Sequence, residues 1–498
     1  MRLYEGLLFL SNVGIAGSFL FLKGRTREIC LYVTSLISAI FLFGHLLLEG
    51  YRFHLLFCTI FTGIMFTRCV LQKKFTQPSK RRISRFFVFT SLILTAAAVF
   101  VFPVFKLPTP TGTYDVGTEI FHFVDDERQE IFTDTVEDKR ALMVQVWYPA
   151  EAVSGKGVPF MDDERLLNAM ASNYGLPGFS FNHLKYVRSN AYSKVEISKS
   201  QSVYPLIIMN HGFGSSKSLH TSQAENLASH GYIVASIDHT YNTFGTLFPD
   251  GTLTTNNSGA LFSGDNDYET EKDNRDLVGS VLTEDVAFVL TQFEAINSGH
   301  ILSKLNGKVD MLHIGTIGHS IGGATAYDVA FDERITAGVN LDGGLYRINA
   351  NEGLNKPFLF MLSESGFESL NRMMLGDDYS DEELEKMGNS REWNDAVIKD
   401  KKIEIERMKH SALSGGEIVF IEGSEHLNFT DVQHFSPIFK IIGATGKIKV
   451  ERADLVVNAY VLAFFDRHLR ETTGSSSEVI KLYPEIMDVT STFLDSSK

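Results

Sequence analysis

Four apolar runs fill the start of this chain, over residues 3–22, 29–48, 53–71 and 86–105. Each is close to the roughly 20 residues an α-helix needs to cross a hydrocarbon core. A helix on the surface of a soluble domain would show a polar face, and none of these does. The pattern predicts four transmembrane helices ahead of whatever follows. The first run has a single Arg at its start and no small-residue cleavage pattern before Lys23, so it is expected to stay as a span.

The charges between the runs set an expected orientation. Lys23, Arg25 and Arg27 lie between the first and second runs. Lys73, Lys74, Lys80, Arg81, Arg82 and Arg85 lie between the third and fourth. The loop between the second and third holds only Arg52, beside Glu49. Basic loops favour the cytoplasmic side, which puts the N-terminus and everything after residue 105 outside. The expectation is a multi-pass cell-membrane protein with an extracytoplasmic domain. No charge sits well inside a run, so the spans read as an anchor rather than an ion path.

Charge divides the chain at the same place. Residues 1–105 carry twelve Lys and Arg against three Glu, and the remainder holds 34 basic and 57 acidic residues. So acidic a remainder argues against nucleic acid as a partner. Cys30, Cys58 and Cys69 all fall in the apolar region, which leaves no disulfide framework or Cys-based metal site in the remainder.

After a Pro-rich exit at Pro108-Thr-Pro-Thr-Gly112, strand-like and helix-like runs alternate. Strands are expected at 141–148, 204–209, 232–237, 311–317, 335–341, 358–362 and 418–421. Helices are expected at 219–230, 276–296, 323–331 and 454–469. This alternation predicts a mainly parallel, doubly wound α/β sheet, with functional groups at the carboxyl ends of the strands. Residues 245–273 read as a long loop. Residues 365–410 are strongly charged, with Asp377-Asp378 and Asp381-Glu382-Glu383, then become helix-like, and fit either a cap over a site or a solvated excursion.

Gly318-His-Ser-Ile-Gly-Gly323 sits between an expected strand and helix. Such a turn lifts a serine hydroxyl clear of the sheet, and its flanking glycines avoid a clash. Ser320 is therefore a candidate nucleophile, which needs a base and an acid to act. The turn Asn210-His-Gly-Phe-Gly214 follows an earlier strand and can aim a backbone N–H at a bound carbonyl. Phe213 and Ile321 are the candidate oxyanion donors. Of the later histidines, His426 in the loop after 418–421 is favoured as base, ahead of His434, His410 and His468. Two acids end neighbouring strands, Asp342 and Glu364, and both remain open on residue pattern alone.

These segments resemble the platelet-activating factor acetylhydrolase family of α/β-hydrolases, in its bacterial, membrane-anchored type. The matching stretches are Pro108-Thr-Pro-Thr-Gly112, Val146-Trp-Tyr-Pro149, His211-Gly-Phe-Gly214, Leu227-Ala-Ser-His-Gly231, Gly318-His-Ser-Ile-Gly-Gly323, Leu341-Asp342 and Gly423-Ser-Glu-His-Leu-Asn-Phe429. The resemblance implies an α/β-hydrolase fold behind the four transmembrane helices. It implies Ser320 as nucleophile, Asp342 rather than Glu364 as acid, His426 as base, and a serine esterase or lipase that needs no cofactor or metal. The substrate class it implies is a small ester or a phospholipid carrying a short acyl group. A serine peptidase or amidase on the same fold, or a ligand-binding protein without catalysis, are the competing expectations. The expected division is an anchor over 1–105, a linker over 106–118, a catalytic domain over 119–475 with the 365–410 insertion, and a tail over 476–498.

Overall fold

A computed structural model describes residues 2–71, 81–262, 267–348, 353–376, 379–472 and 476–495. Lys73, Lys74, Lys80 and the Asp377-Asp378 pair lie outside the described residues. Helices α1 (Leu3–Phe21), α2 (Gly24–Gly44), α3 (Leu56–Val70) and α4 (Arg81–Val101) make up the N-terminal region. Among the described residues, three stretches are long and apolar enough to cross a membrane: Leu3–Phe21, Gly24–Glu49 and Phe53–Val70. The fourth expected span is shorter than the sequence suggests. Its apolar helix runs only over Phe86–Val101, because Pro103 cannot continue a helix. The apolar residues beyond it turn to a different use: Val104 and Phe105 pack into a core of the following domain, with Phe160, Phe181 and Phe435.

The helices pack through Leu8, Ile15, Leu31, Phe61, Met65, Val88 and Leu92. Polar side chains bridge them where small residues allow close approach. Asn12 Nδ2 donates to Thr62 Oγ1 at 3.0 Å, and Ser38 Oγ to Ser11 Oγ at 2.6 Å. Outward positions such as Leu10, Val33, Ile40 and Phe43 stay exposed and apolar, as a lipid-facing surface requires.

Among the described residues, ten strands form one sheet. They are β1 (Asp115–Gln129), β2 (Lys139–Ala150), β3 (Ala191–Ser193), β4 (Tyr204–Asn210), β5 (Ile233–Asp238), β8 (Val309–His319), β9 (Ile335–Leu341), β10 (Phe358–Ser363), β11 (Glu417–Ile421) and β12 (Ile486–Asp488). The short ribbon β6 (Thr246–Leu247) and β7 (Leu253–Thr254) stands apart. The order is β12-β11-β10-β9-β8-β4-β5-β2-β1-β3. From β5 to β11 all neighbours are parallel, and β2 and β12 add antiparallel strands at the two sides.

β4 and β5 are buried throughout, which is why they read as continuous apolar runs. Their side chains still alternate between faces. Leu206 and Ile208 join the core under α7 (Tyr268–Asn297) and α8 (Ile321–Val329). Ile207 and Met209 join the core under α6 (Thr221–Ser229) and the late helix Val450–Leu469. Each face is therefore covered by helices, and the polar ends of the central strands are left for a site.

Three elements differ from the sequence reading: β1, the start of α7 and the C-terminal stretch. β1 begins inside the stretch read as linker and crosses its boundary at 118; its charged Asp125-Asp-Glu-Arg128 end hides the alternation that precedes it. α7 starts at Tyr268 rather than 276, because Asp267 accepts the Thr270 N–H as an N-cap within the expected loop. The 365–410 stretch, read as turning helix-like, holds α9 (Glu364–Met374), α10 (Asp381–Met387) and α11 (Arg391–Leu413). The stretch read as a tail supplies β12, three residues too short to show a period, and buries Phe493.

A buried ionic network ties the antiparallel side of the sheet to α7. Arg140 donates to Asp285 through Nε at 2.9 Å and through its second nitrogen at 2.6 Å, and to Glu130 at 2.8 Å. Burial alone would raise the Asp285 carboxyl. The Arg140 guanidinium outweighs it and holds that carboxyl far below the usual range. A depressed carboxylate stabilises the fold above its unfolded pKa of about 3.9, and that contribution fades only as pH falls through the lower folded value. Removing Arg140 takes the guanidinium from the buried Glu130 and Asp285 carboxylates, although Arg128 still reaches Asp285 at 2.8 Å. Arg140→Met is expected to cost about 3–5 kcal/mol, and the double change with Asp285→Leu to recover part of it. Thermal unfolding followed by intrinsic fluorescence tests this; a loss under 1 kcal/mol for Arg140→Met would contradict it.

Candidate active site

β8 ends at His319 and α8 begins at Ile321, so Ser320 makes the whole turn. Its backbone sits at φ 56°, ψ −123°, a region non-glycine residues rarely adopt. The turn is held by the Ser320 N–H donating to the Leu341 carbonyl at 3.0 Å. A Cβ at Gly318 would lie 2.0 Å from the Gly322 oxygen, and one at Gly322 would lie 2.3 Å from the Asn210 oxygen. Both glycines are therefore required by close backbone approach.

The candidate acid Asp342 lies just past the next strand. Asp342 follows β9 at φ 51°. One carboxylate oxygen accepts the Ser363 N–H at 2.7 Å, and the other lies 2.7 Å from His426 Nδ1. A Cβ at Gly343 would come within 2.1 Å of the Ser320 carbonyl oxygen, so this loop lies directly against the elbow.

His426 follows β11 and opens a short 3-10 turn, His426–Phe429. Its side chain is 46% exposed while Asp342 is 8% exposed. One face of the pair is thus open to a ligand and the other is fixed. His319, beside Ser320, locks the loop from below. Its Nε2 is 3.0 Å from the His426 carbonyl oxygen, and the two rings lie 4.4 Å apart. Burial, reinforced by His426 and His220, pushes the His319 pKa well below its usual value, so it stays neutral and donates from Nε2. The elbow motif contained this histidine, but its spacing gave no sign of the bridge.

The turn after β4 runs alongside. A Cβ at Gly212 would lie 3.4 Å from the Ser320 Cβ. His211 is fully buried, and its Nε2 accepts the His239 N–H at 3.1 Å. Its Nδ1 therefore carries the proton, and donates to the Gly212 carbonyl at 2.7 Å. The next N–H, that of Phe213, follows this braced peptide. Gly214 is pinned by its N–H to Asn242 at 2.9 Å, and its carbonyl accepts from Asn173. Ile321 opens α8, where N–H groups lack intrahelical acceptors and the helix dipole is positive. His239 also reaches Asn210 and Asp285, at 3.2 and 3.0 Å, so the Arg140 network braces this turn from behind.

The other candidates lie elsewhere. Glu364 accepts the Gly423 N–H at 3.3 Å and so supports the His426 loop, while the imidazole pairs with Asp342. His434 pairs with Asp454 at 2.9 Å and stacks on Phe105. His410 faces the Leu354 carbonyl, and His468 packs at a tilt against Phe464. A cavity of about 600 Å³ beside Ile120, Met143, Phe160 and Lys217 has none of Ser320, Asp342 or His426 in its walls. The location of the site therefore rests on side-chain geometry. Glu5, His45 and Glu49 converge at one end of the helix bundle, but Arg2 and Arg52 already engage Glu5 there, which disfavours a cation.

The family described as platelet-activating factor acetylhydrolase, isoform II, matches residues 99–255 and 280–477. The chain belongs to this platelet-activating factor acetylhydrolase family. It is 24% identical over 388 residues to the platelet-activating factor acetylhydrolase of Cavia porcellus, spanning 73% of this chain and 78% of that protein. It is 25% identical over 279 residues to a probable 1-alkyl-2-acetylglycerophosphocholine esterase of Arthroderma benhamiae, spanning 54% of this chain and 66% of that protein. The ferulic acid esterase of Streptomyces cinnamoneus has a similar structure, at a TM-score of 0.56 and 27% identity, covering 77% of this chain and 99% of the other. Membership makes the chain an esterase-type hydrolase with an α/β-hydrolase domain. The family match includes every residue of the site above and omits 256–279.

Proposed function

We propose that Ser320, His426 and Asp342 act as a triad that hydrolyses carboxylic esters. The observation that carries this is the 2.7 Å contact of His426 Nδ1 with Asp342, in a loop packed on the strained Ser320 turn. With the Nδ1 proton held by Asp342, Nε2 is left to take the Ser320 proton as Oγ attacks the ester carbonyl. The Phe213 and Ile321 N–H groups receive the developing oxyanion. His426 then protonates the leaving alcohol, and water, activated in the same way, releases the acid. The relatives' names point to an acetyl ester of a glycerophospholipid as the substrate, which we extend to this chain.

The same reading gives the molecule a place. α4 joins the bundle through Val88 and Leu92, and Ser91 Oγ donates to the Phe57 carbonyl at 2.9 Å. These contacts support a fourth, shorter span. With Lys23, Arg25 and Arg27 in the cytoplasm, the hydrolase domain lies on the extracytoplasmic side. The domain then meets lipids at the membrane surface, and the helices of 364–413 stand beside the site as a cap.

One experiment tests chemistry and orientation together. A membrane-impermeant fluorophosphonate added to intact cells is expected to label the full-length protein at Ser320. Labelling only after permeabilisation would reverse the orientation. No labelling even then would remove the nucleophile. Faster release from a p-nitroanilide than from a p-nitrophenyl ester would make the enzyme an amidase.

A further inference from the structure

The Phe213 N–H stands at the end of a relay of two peptides that begins at Asn173. Asn173 Nδ2 donates to the Gly214 carbonyl at 3.2 Å. The same peptide carries the Ser215 N–H, which donates to the Gly212 carbonyl at 3.1 Å. The peptide of that second carbonyl carries the Phe213 N–H. A peptide unit is planar, so fixing its oxygen fixes the direction of the N–H on its other side. Hydrogen bonds in such a chain also polarise one another, which makes the last N–H a better donor to a developing oxyanion. Gly214, at φ 60°, lets the amide come close: a Cβ there would lie 3.1 Å from Asn173 Nδ2.

Asn173 is in turn placed by the helix bundle. It is the last residue of α5 (Glu164–Asn173). The chain folds back directly after it, with the Leu176 N–H donating to the Ala171 carbonyl at 2.8 Å. Leu167, Met170 and Ala171 of α5 share a core with Phe181 and Leu184 of the two 3-10 turns that follow, Gly178–Phe181 and Leu184–Tyr186. These turns sit on the bundle where its apolar stretch Gly24–Glu49 gives way to Phe53–Val70. The Phe179 and Phe53 rings lie 4.1 Å apart. Tyr186 Oη donates to the Tyr51 carbonyl at 2.6 Å, and the Arg2 guanidinium lies 3.8 Å over the Tyr186 ring.

We propose that Asn173 is a positioning residue for the Phe213 donor, and that the bundle sets it through α5. The bundle then tunes turnover as well as anchoring the domain. The proposal rests on Phe213 serving as an oxyanion donor to a substrate attacked by Ser320. The family match begins at residue 99, so Arg2, Tyr51 and Phe53 act on the shared hydrolase domain from outside it.

The test is steady-state kinetics of the full-length protein on p-nitrophenyl acetate. One hydrogen bond corresponds to about two- to tenfold in rate. Asn173→Ala should lower kcat by that factor and leave KM within about twofold, because the donor acts on the transition state rather than on the bound ester. Asn173→Asp keeps the shape of the side chain and loses the N–H donor, so it should match Asn173→Ala. A role in packing alone would leave it at the parental rate. Phe179→Ala combined with Tyr186→Phe loosens the seat on the bundle and should lower kcat in the same sense. Adding Asn173→Ala to that pair should cause little further loss, because the three residues act along one path. Thermal unfolding of each variant separates loss of rate from loss of fold. Parental kcat in Asn173→Asp would overturn the relay. Fully additive losses, or a seat variant that folds and keeps parental kcat, would overturn control by the bundle. A parent not labelled by a fluorophosphonate at Ser320 would instead remove the nucleophile on which the relay depends.

Discussion

Ser320→Ala is expected to lower kcat/KM for a short-chain p-nitrophenyl ester by about 10⁵- to 10⁶-fold. That corresponds to about 7–8 kcal/mol of transition-state stabilisation. The loss should be chemical rather than structural. Ser320 sits at the N-cap of α8, yet its side chain makes no capping hydrogen bond. Deleting Oγ therefore removes no contact that holds the turn, and thermal stability should change by less than about 0.5 kcal/mol. Ser320→Gly separates the two effects further. Glycine accepts φ 56° without strain, so this variant should be equally inactive and about 1 kcal/mol more stable. A Ser320→Ala protein that keeps more than a hundredth of the parent rate would remove this serine from the chemistry.

How far the sequence discloses the site depends on the kind of information each residue carries. The elbow is legible because Gly318 and Gly322 answer to backbone clashes, and a clash leaves a glycine in the sequence. The central strands are legible because two covered faces demand apolar residues throughout. The choice between Asp342 and Glu364 is not legible in this way. Both end neighbouring parallel strands, and what separates them is a backbone angle at Asp342 and the partner of each carboxylate. The fourth span reads four residues too long at its end because an apolar residue looks alike facing lipid or facing a core. Only the Pro103 break and the contacts of Phe105 tell the two apart.

Asp342→Asn should lower turnover by about 10⁴-fold while leaving the site folded. The direction follows from the two hydrogen bonds of this carboxylate. One oxygen accepts the Ser363 N–H at 2.7 Å, so the carbonyl oxygen of an asparagine is drawn to that position. Its NH₂ group then faces His426 Nδ1. A donor there requires Nδ1 to accept, which moves the imidazole proton to Nε2, the atom that must take the proton of Ser320. The base is present but in the wrong tautomer, and the developing imidazolium also loses its counter-charge. Glu364→Gln is the control. Among the described residues Glu364 accepts only the Gly423 N–H, at 3.3 Å, and a glutamine carbonyl can accept the same bond, so the expected loss is under about tenfold. Steady-state kinetics on the two variants, with fluorophosphonate labelling rates beside them, decides the assignment. A severe loss in Glu364→Gln with near-normal Asp342→Asn would move the acid to the end of the neighbouring strand and leave the 2.7 Å contact of Asp342 with His426 as a structural pair.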